Sequence, residues 1–414
     1  MDSTNALQQR RINTPASLLY RWLIRRLKCL PLSRLELVQP DGQVRCLGVV
    51  KSDTPVARIK LLRYQGILKA LRGGMMGWSE AYVAKDWDTP DLFAVTDWAM
   101  ANEEPLESAF LGIPVVQWIN RLTHCLRNNT RRGSRKNIQA HYDLGNTFYQ
   151  HWLDKSMTYS SGLYLHDNDS LEQAQRNKYQ RIITLLGVDE RHQVLEIGCG
   201  WGGFARQLAL QTHAQRYTGI TLSQKQLDYA RTRLPEQKGE YHFLLQDYRD
   251  LGGSFDRIVS IEMIEAVGEK HWPDYFTQLN QRLKKDGYAV VQAITIADER
   301  FEQYRKGTDF IQKYIFPGGF LPSDQSFRQA AKNAGLHVIH AESFGVDYAR
   351  TLRHWHKRFN RHWPEIASLG FDDGFRRMWN YYFAYCHAGF QIDSINVRLY
   401  VLKHQQPSAE LSGR

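Results

Sequence analysis

The stretch that decides the fold is Val194-Leu195-Glu196-Ile197-Gly198-Cys199-Gly200-Trp201-Gly202-Gly203-Phe204. Its apolar start reads as a buried strand carrying one acid, Glu196. The glycines then turn the backbone sharply, and a helix begins near Gly203. Glycines at such a turn let a bulky ligand lie directly on the main chain, where any Cβ would collide with it. The spacing is Gly-x-Gly-x-Gly-Gly, which differs from the dinucleotide pattern Gly-x-Gly-x-x-Gly. No Lys-Ser or Lys-Thr follows, as a phosphate loop would require. An ordinary tight strand-to-helix turn is the plain alternative, so the surroundings decide.

Those surroundings alternate helix and strand from about residue 138. Helical spacing covers 171–186, 203–212, 223–233, 272–283 and 323–334; strand-like runs cover 193–197, 217–220, 241–245, 256–261, 288–294 and 337–342. The order predicts a doubly wound α/β sheet with its ligand at the carboxyl ends of the strands. Residues 397–403 are expected to close that sheet as an edge strand, and 301–321 to be an insertion. The Glu-x-Gly-x-Gly turn resembles the S-adenosylmethionine (SAM) turn of class I methyltransferases, whose acid helps hold the amino-acid end of the cofactor. The second strand ends at Thr221-Leu222-Ser223 with Gln226 following, where Thr221, Ser223 and Gln226 can hold ribose hydroxyls. The third ends at Asp247-Tyr248, where the acid can accept from an adenine amino group and the ring can flank it. Three such clusters at successive strand ends describe one cofactor.

Bulk properties bound the remainder. A chain of 414 residues is too long for one compact core, so two domains are expected. Lys and Arg number 54 against 43 Asp and Glu, a net +11 that favours an anionic partner, either nucleic acid or an anionic membrane surface. The five cysteines form no CxxC pair, which reads as free thiols in a reducing cytoplasm with no metal site. No run approaches the roughly 18 apolar residues of a membrane span, and no signal peptide is evident. Four segments are expected: a lipid-handling α+β domain at 1–125, a basic linker at 126–137, a catalytic domain at 138–405, and a tail at 406–414. In the first, Leu18, Leu19, Trp22, Leu23 and Leu27 recur at helical spacing with Arg21, Arg25, Arg26 and Lys28 between them. That is a basic amphipathic helix, which fits either docking onto the domain or membrane contact. A Gly- and Met-rich stretch, 71–80, suits either a lipid-handling surface or a core.

The chain resembles the cyclopropane-fatty-acyl-phospholipid synthases, a family that includes the mycolic acid cyclopropane synthases. The markers are 139–146 (QAHYDLGN), 158–160 (TYS), 195–202, 219–226, 245–251, 313–319 (KYIFPGG), 345–352 and 381–390. The resemblance implies a class I methyltransferase fold with a seven-stranded, mostly parallel sheet. It also implies transfer of a methyl group from SAM to the double bond of a phospholipid acyl chain, forming a cyclopropane through a carbocation. Its implied SAM contacts are Tyr159, Ser160, Val194, Leu195, Glu196, Ile197, Gly198, Cys199, Gly200, Trp201, Gly202, Thr221, Leu222, Ser223, Gln226, Asp247 and Tyr248. Cys386 falls where the family has its designated active-site cysteine; a buried small residue is the plain alternative. A cytoplasmic enzyme peripherally attached to the inner, anionic membrane face is the implied setting. Whether it forms a homodimer is left open. A nucleic-acid methyltransferase should show Asn-Pro-Pro-Tyr or a Pro-Cys nucleophile, and neither occurs.

Methylation of an alkene leaves a carbocation, which aromatic faces stabilise; Tyr314, Phe316, Tyr348 and Tyr382 are candidates. A base must then remove a proton. By the resemblance this base is a bicarbonate held by a Cys, a Glu, a His, an Ile backbone and a Tyr. Glu265, Ile294 and Tyr348 match that set, but Ser161 stands for the Cys and Gln292 for the His. Glu262 adds a carboxylate that either caps local structure or acts as the base itself. Proton loss from the new methyl group closes a cyclopropane; loss from a neighbouring carbon gives a methylated alkene, and a methyl-branched or methylene product is the alternative to the ring. A lipid-binding relative without activity is the reading from a different class.

Overall fold

The structure, a computed structural model, describes residues 15–110, 144–214, 216–234 and 239–405. The expected linker, the tail and the family marker at 139–143 lie outside these residues. The chain forms two compact units. The first takes Met1–Leu126, Lys306–Tyr314 and Ala367–Ile392; the second takes Arg127–Arg305, Ile315–Ile366 and Asp393–Arg414. Reading from sequence placed one boundary near 125, so the two later pieces of the first unit were not anticipated.

The first unit carries a four-stranded sheet of order β2-β1-β3-β4, with β1 at Leu35–Val38, β2 at Val44–Leu47, β3 at Ala57–Leu61 and β4 at Trp87–Asp88. Alternation along β3 (buried, exposed, buried, exposed, buried) marks a sheet with one covered face. The basic helix Pro15–Leu27 buries Tyr20, Leu23, Ile24 and Leu27, while Leu18, Arg21, Trp22, Arg25 and Arg26 stay exposed. The Gly/Met stretch, 71–80, lies inside the helix Gln65–Val83, which breaks at Gly74 with φ 55°. The late helix Asp373–Gln391 belongs here because its side chains are tied in. Arg377 Nε donates to the Tyr82 carbonyl at 2.7 Å, and the Ala384 carbonyl accepts from Thr96 Oγ1 at 3.0 Å.

The second unit has the class I methyltransferase fold. Its strands are β5 (Gln193–Ile197), β6 (Arg216–Thr221), β7 (Glu240–Leu245), β8 (Phe255–Ile261), β9 (Leu283–Ile296), β10 (Leu336–Ser343) and β11 (Ile395–His404), ordered β10-β11-β9-β8-β5-β6-β7. Strands β5 to β9 pair in parallel, and β11 pairs antiparallel with both neighbours. One apolar cluster, with Trp272, Phe276 and Phe327, includes Leu195 and Ile197 of β5; another, with Phe204, Leu208 and Ile182, includes its Val194. This two-sided burial accounts for the unbroken apolar run in β5. The edge expected at 397–403 is instead interior. Leu399, Tyr400, Val401 and Leu402 are all buried, so both faces of β11 are covered, and the half-exposed β10 is the edge. Chain order reverses between β5 and β8, which opens a crevice at their carboxyl ends.

Candidate functional site

The glycine turn leaves β5 at that crevice. Gly198 has φ 84° and Gly200 φ 52°, conformations that side-chain-bearing residues avoid. The N–H groups of Gly198 and Cys199 both donate to the Ile220 carbonyl on β6, at 3.0 and 2.9 Å, which fixes the turn. The cavity above it is lined by residues at the carboxyl ends of four strands, β5, β6, β7 and β8, and from the segment Met157–Ser160. Of the expected SAM contacts, Tyr159, Ser160, Glu196, Ile197, Gly198, Cys199, Gly200, Trp201, Thr221, Leu222, Gln226 and Tyr248 line it.

The others act differently. Val194 and Leu195 are core residues, and Gly202 is the left-handed cap of the helix Gly203–Gln211. Ser223 caps the helix Gln224–Arg231 through its side chain. Asp247, expected to accept from adenine, has both carboxylate oxygens on Arg249, at 2.9 and 2.6 Å. Sequence reading missed Gln246 and Arg249, which line the cavity beside Tyr248. An open glycine turn flanked by hydroxyl and amide side chains, with Thr221 Oγ1 donating to Gln226 Oε1 at 2.7 Å, fits a nucleoside with an amino-acid tail. Glu196 accepts from Tyr217 OH, and burial pushes its carboxyl up to about 8 against that bond and the Lys178 charge.

Glu262 lies one residue beyond β8, on the wall of the same cavity. It has φ 48°, a left-handed conformation that a glutamate adopts only when its surroundings impose it. Its N–H donates to the Gln292 carbonyl at 2.8 Å. Three donors converge on its carboxylate. The Ser161 N–H and Gln292 Nε2 reach Oε1 at 2.9 and 2.6 Å, and Tyr348 OH reaches Oε2 at 2.6 Å. The Ser161 hydroxyl turns away and donates to the Gly162 carbonyl at 2.8 Å, so this residue contributes its backbone. Gln292 and Ile294 are two apart on β9 and share one side of the sheet. The Ile294 N–H donates to Glu265 Oε1 at 2.5 Å, while Glu265 Oε2 is buried with no partner among the described residues.

The two carboxylates differ in support. Burial raises both. Glu262 has Tyr348, the Ser161 N–H, the Lys178 charge and Gln292 working against that rise, whereas Glu265 has the negative charge of Glu262 adding to it and is pushed up to about 8. Glu265 therefore keeps its proton at neutral pH and Glu262 is the better supported of the two as a carboxylate, the separation of roles expected of neighbouring acids in unlike settings. A bicarbonate does not fit this arrangement. Three of the donors that would hold it are on Glu262, and an added anion would face that carboxylate in a buried site.

The aromatic candidates separate as well. Tyr348 and Phe316 belong to this unit, where Trp355 has its ring 6.0 Å from Tyr348, and Tyr159 lies 5.3 Å from Trp355 and 6.1 Å from Phe316. Tyr314 and Tyr382 belong to the first unit, where Tyr314 OH donates to Glu80 at 2.7 Å. Cys386 is also in the first unit. Burial, then the Asp309 charge, pushes its thiol well above the usual range, so it stays protonated. Its neighbour His387 is engaged with Asp97 at 3.2 Å, and adjacent helix residues face apart, so His387 does not serve as a base for the sulfur. No cluster suited to a metal occurs among the described residues.

Comparison with known proteins identifies a family and matches the fold. Residues 129–400 match the family model described as mycolic acid cyclopropane synthetase. A tuberculostearic acid methyltransferase of Mycobacterium tuberculosis is 37% identical over 355 residues, covering 81% of this chain and 80% of that protein. The cyclopropane-fatty-acyl-phospholipid synthase of Escherichia coli K12 is 33% identical over 369 residues, 84% of this chain and 88% of that one. Among solved structures, a mycolic acid cyclopropane synthase complexed with SAH and CTAB superposes with a TM-score of 0.61 at 27% identity, over 67% of this chain and 99% of that one.

Proposed function

The chain belongs to the mycolic acid cyclopropane synthetase family and is a SAM-dependent methyltransferase, and we propose that it methylates the double bond of an unsaturated phospholipid acyl chain to give a methyl-branched or methylene product, with Glu262 as the base. The observation that carries this reading is the triple hold on the Glu262 carboxylate. Bound in the cavity, SAM supplies a sulfonium methyl group, which passes to one alkene carbon and leaves a carbocation on the other. The turn at Gly198–Gly200 and the side chains of Thr221, Gln226 and Ser160 orient the cofactor, since an alkene is a weak nucleophile that must meet the methyl group in line and at close range. Tyr348, Phe316 and Trp355 offer ring faces to the cation. Glu262 Oε then takes a proton from a carbon beside the cation, giving a methyl-branched alkene, or, after a 1,2-hydride shift has moved the cation onto the methylated carbon, from the new methyl group, giving a methylene. In each case the freed C–H electron pair forms the new double bond. Ring closure in the family runs through a caged anion. Here the cage donors are committed to Glu262, so the proton leaves toward a fixed carboxylate instead. A relative named as a methyltransferase supports the same outcome.

The first unit is proposed to rest on an anionic bilayer. Leu18 and Trp22 are 53% and 39% exposed among Arg21, Arg25 and Arg26 on one helix, an apolar and cationic surface of the kind that lies at a membrane interface. No helix among the described residues is long and apolar enough to cross a membrane.

Expression in a host lacking its own synthase, followed by NMR of the extracted acyl chains, tests the product. A methylene and a cyclopropane have the same mass but differ in proton environment. Olefinic methylene or methyl-branch signals are expected; upfield ring protons would overturn the product assignment, and unmodified chains would overturn the enzyme reading.

A further inference from the structure

The helix Leu171–Leu186 turns Leu171, Ala174, Gln175, Lys178, Tyr179, Ile182 and Ile183 inward. Lys178 stands in the middle of this apolar stripe and is fully buried, at 0% exposure. A lysine is almost never fully buried without a charge partner. Its Nζ donates to Ser160 Oγ at 2.6 Å, and one helical turn earlier Gln175 Nε2 donates to the Ser160 carbonyl at 2.8 Å. Ser160 lines the cavity, and the N–H of the next residue, Ser161, is one of the three donors on Glu262. One helix thus clamps a dipeptide that touches the cofactor cavity at one residue and the Glu262 carboxylate at the other.

We propose that Lys178 is a positioning residue that anchors Ser160 and keeps Glu262 ionised, so that one buried ammonium sets both the cofactor wall and the base. This rests on Glu262 being the base. The groups facing Glu262 are Tyr348, Gln292, the Ser161 N–H, Glu265 and the Lys178 charge. Those facing Lys178 are Ser160, Glu262, Asp154, Glu196 and the ring of Tyr179, 4.2 Å from Nζ. Burial pushes Lys178 down to about 8, with Glu262 first and then Asp154 and Glu196 opposing the fall. Asp154 is itself committed to Ser156 and Thr158, accepting the Ser156 N–H and the Thr158 N–H at 2.9 Å each, and Glu196 is committed to Tyr217. Of the three carboxylates Glu262 opposes the fall most, so its charge is the one most strongly coupled to the ammonium.

The test is the pH dependence of kcat for the full chain on unsaturated phospholipid vesicles. Lys178→Met is expected to lower kcat about tenfold or more and to move the acidic limb to higher pH by about one unit, because loss of the cation raises the Glu262 pKa. Lys178→Arg, which keeps the charge, should leave the limb near its native position. A Lys178→Met enzyme that binds SAM and shows an unmoved limb would overturn the proposal and make the lysine a packing element only. Should Lys178→Met not fold, the reciprocal measurement applies. In protein labelled with 13Cε-lysine, Glu262→Gln must move the titration of the buried lysine, assigned through Lys178→Arg, to lower pH. No movement would overturn the proposal. An active Glu262→Gln enzyme would instead overturn the Glu262 reading itself, which keeps the two failures apart.

Discussion

At the residue scale the account turns on two glutamates three positions apart. Glu262→Gln removes the acceptor for the proton while keeping the amide in place, so activity should fall by about 10²–10⁴-fold with SAM affinity retained by calorimetry. Glu265→Gln imitates the protonated acid that Glu265 already is, and its loss should be much the smaller of the two. The raised Glu265 carboxyl also has a stability consequence. A buried acid lifted from 4.5 to about 8 binds its proton more tightly folded than unfolded. Its contribution is whole below the ordinary carboxylate range and is lost as pH rises through about 8. The thermal midpoint should thus fall across that window, and less steeply in Glu265→Gln; parallel curves would contradict it. From the sequence, Ser161, Gln292, Tyr348 and Ile294 were legible as one set by resemblance, but the convergence of the first three on Glu262, with Ile294 on Glu265 instead, was not. Which atom of Ser161 points inward depends on the loop's path, which no pattern encodes. The signal for Lys178 was present: it falls at a core position of its helix stripe, where only a paired charge survives.

At the element scale, strict alternation made the second unit readable, and β5 was expected at the residues where it occurs, 193–197. The exception was β11, whose four consecutive apolar residues already signalled two covered faces. In the first unit the Gly/Met stretch defied reading because its glycines, poor helix formers, are accommodated at a break and at close packing. A Cβ on Gly77 would stand 1.9 Å from the Lys69 carbonyl oxygen. The turn after β5 yields a sharp expectation. Gly198→Val must hold a branched residue at φ 84° with its Cβ 3.0 Å from Met263, which costs about 1–3 kcal/mol of strain. SAM binding should be abolished while circular dichroism stays native; unchanged affinity in a folded variant would remove the turn from the site.

At the scale of the whole molecule, the net charge of +11 and the exposed basic helix predict a preference for anionic vesicles. Replacing Arg21, Arg25 and Arg26 with Ala should weaken binding by about 1 kcal/mol each at low salt, an effect that fades as salt rises. Equal, salt-insensitive binding to anionic and zwitterionic vesicles would contradict it. Charge balance alone points to an anionic partner, which the vesicle measurement tests. The assignment of 306–314 and 367–392 to the first unit was not, because it depends on tertiary bonds such as Arg377 to the Tyr82 carbonyl.

The central claim is that a carboxylate of the chain itself, Glu262, occupies the donors that would otherwise hold a diffusible anion. The measurement that tests it most directly is turnover of the native enzyme on unsaturated phospholipid vesicles in buffer stripped of bicarbonate and in the same buffer with bicarbonate restored. The account predicts equal rates in the two. A rate that collapses without bicarbonate and returns with it would contradict the account.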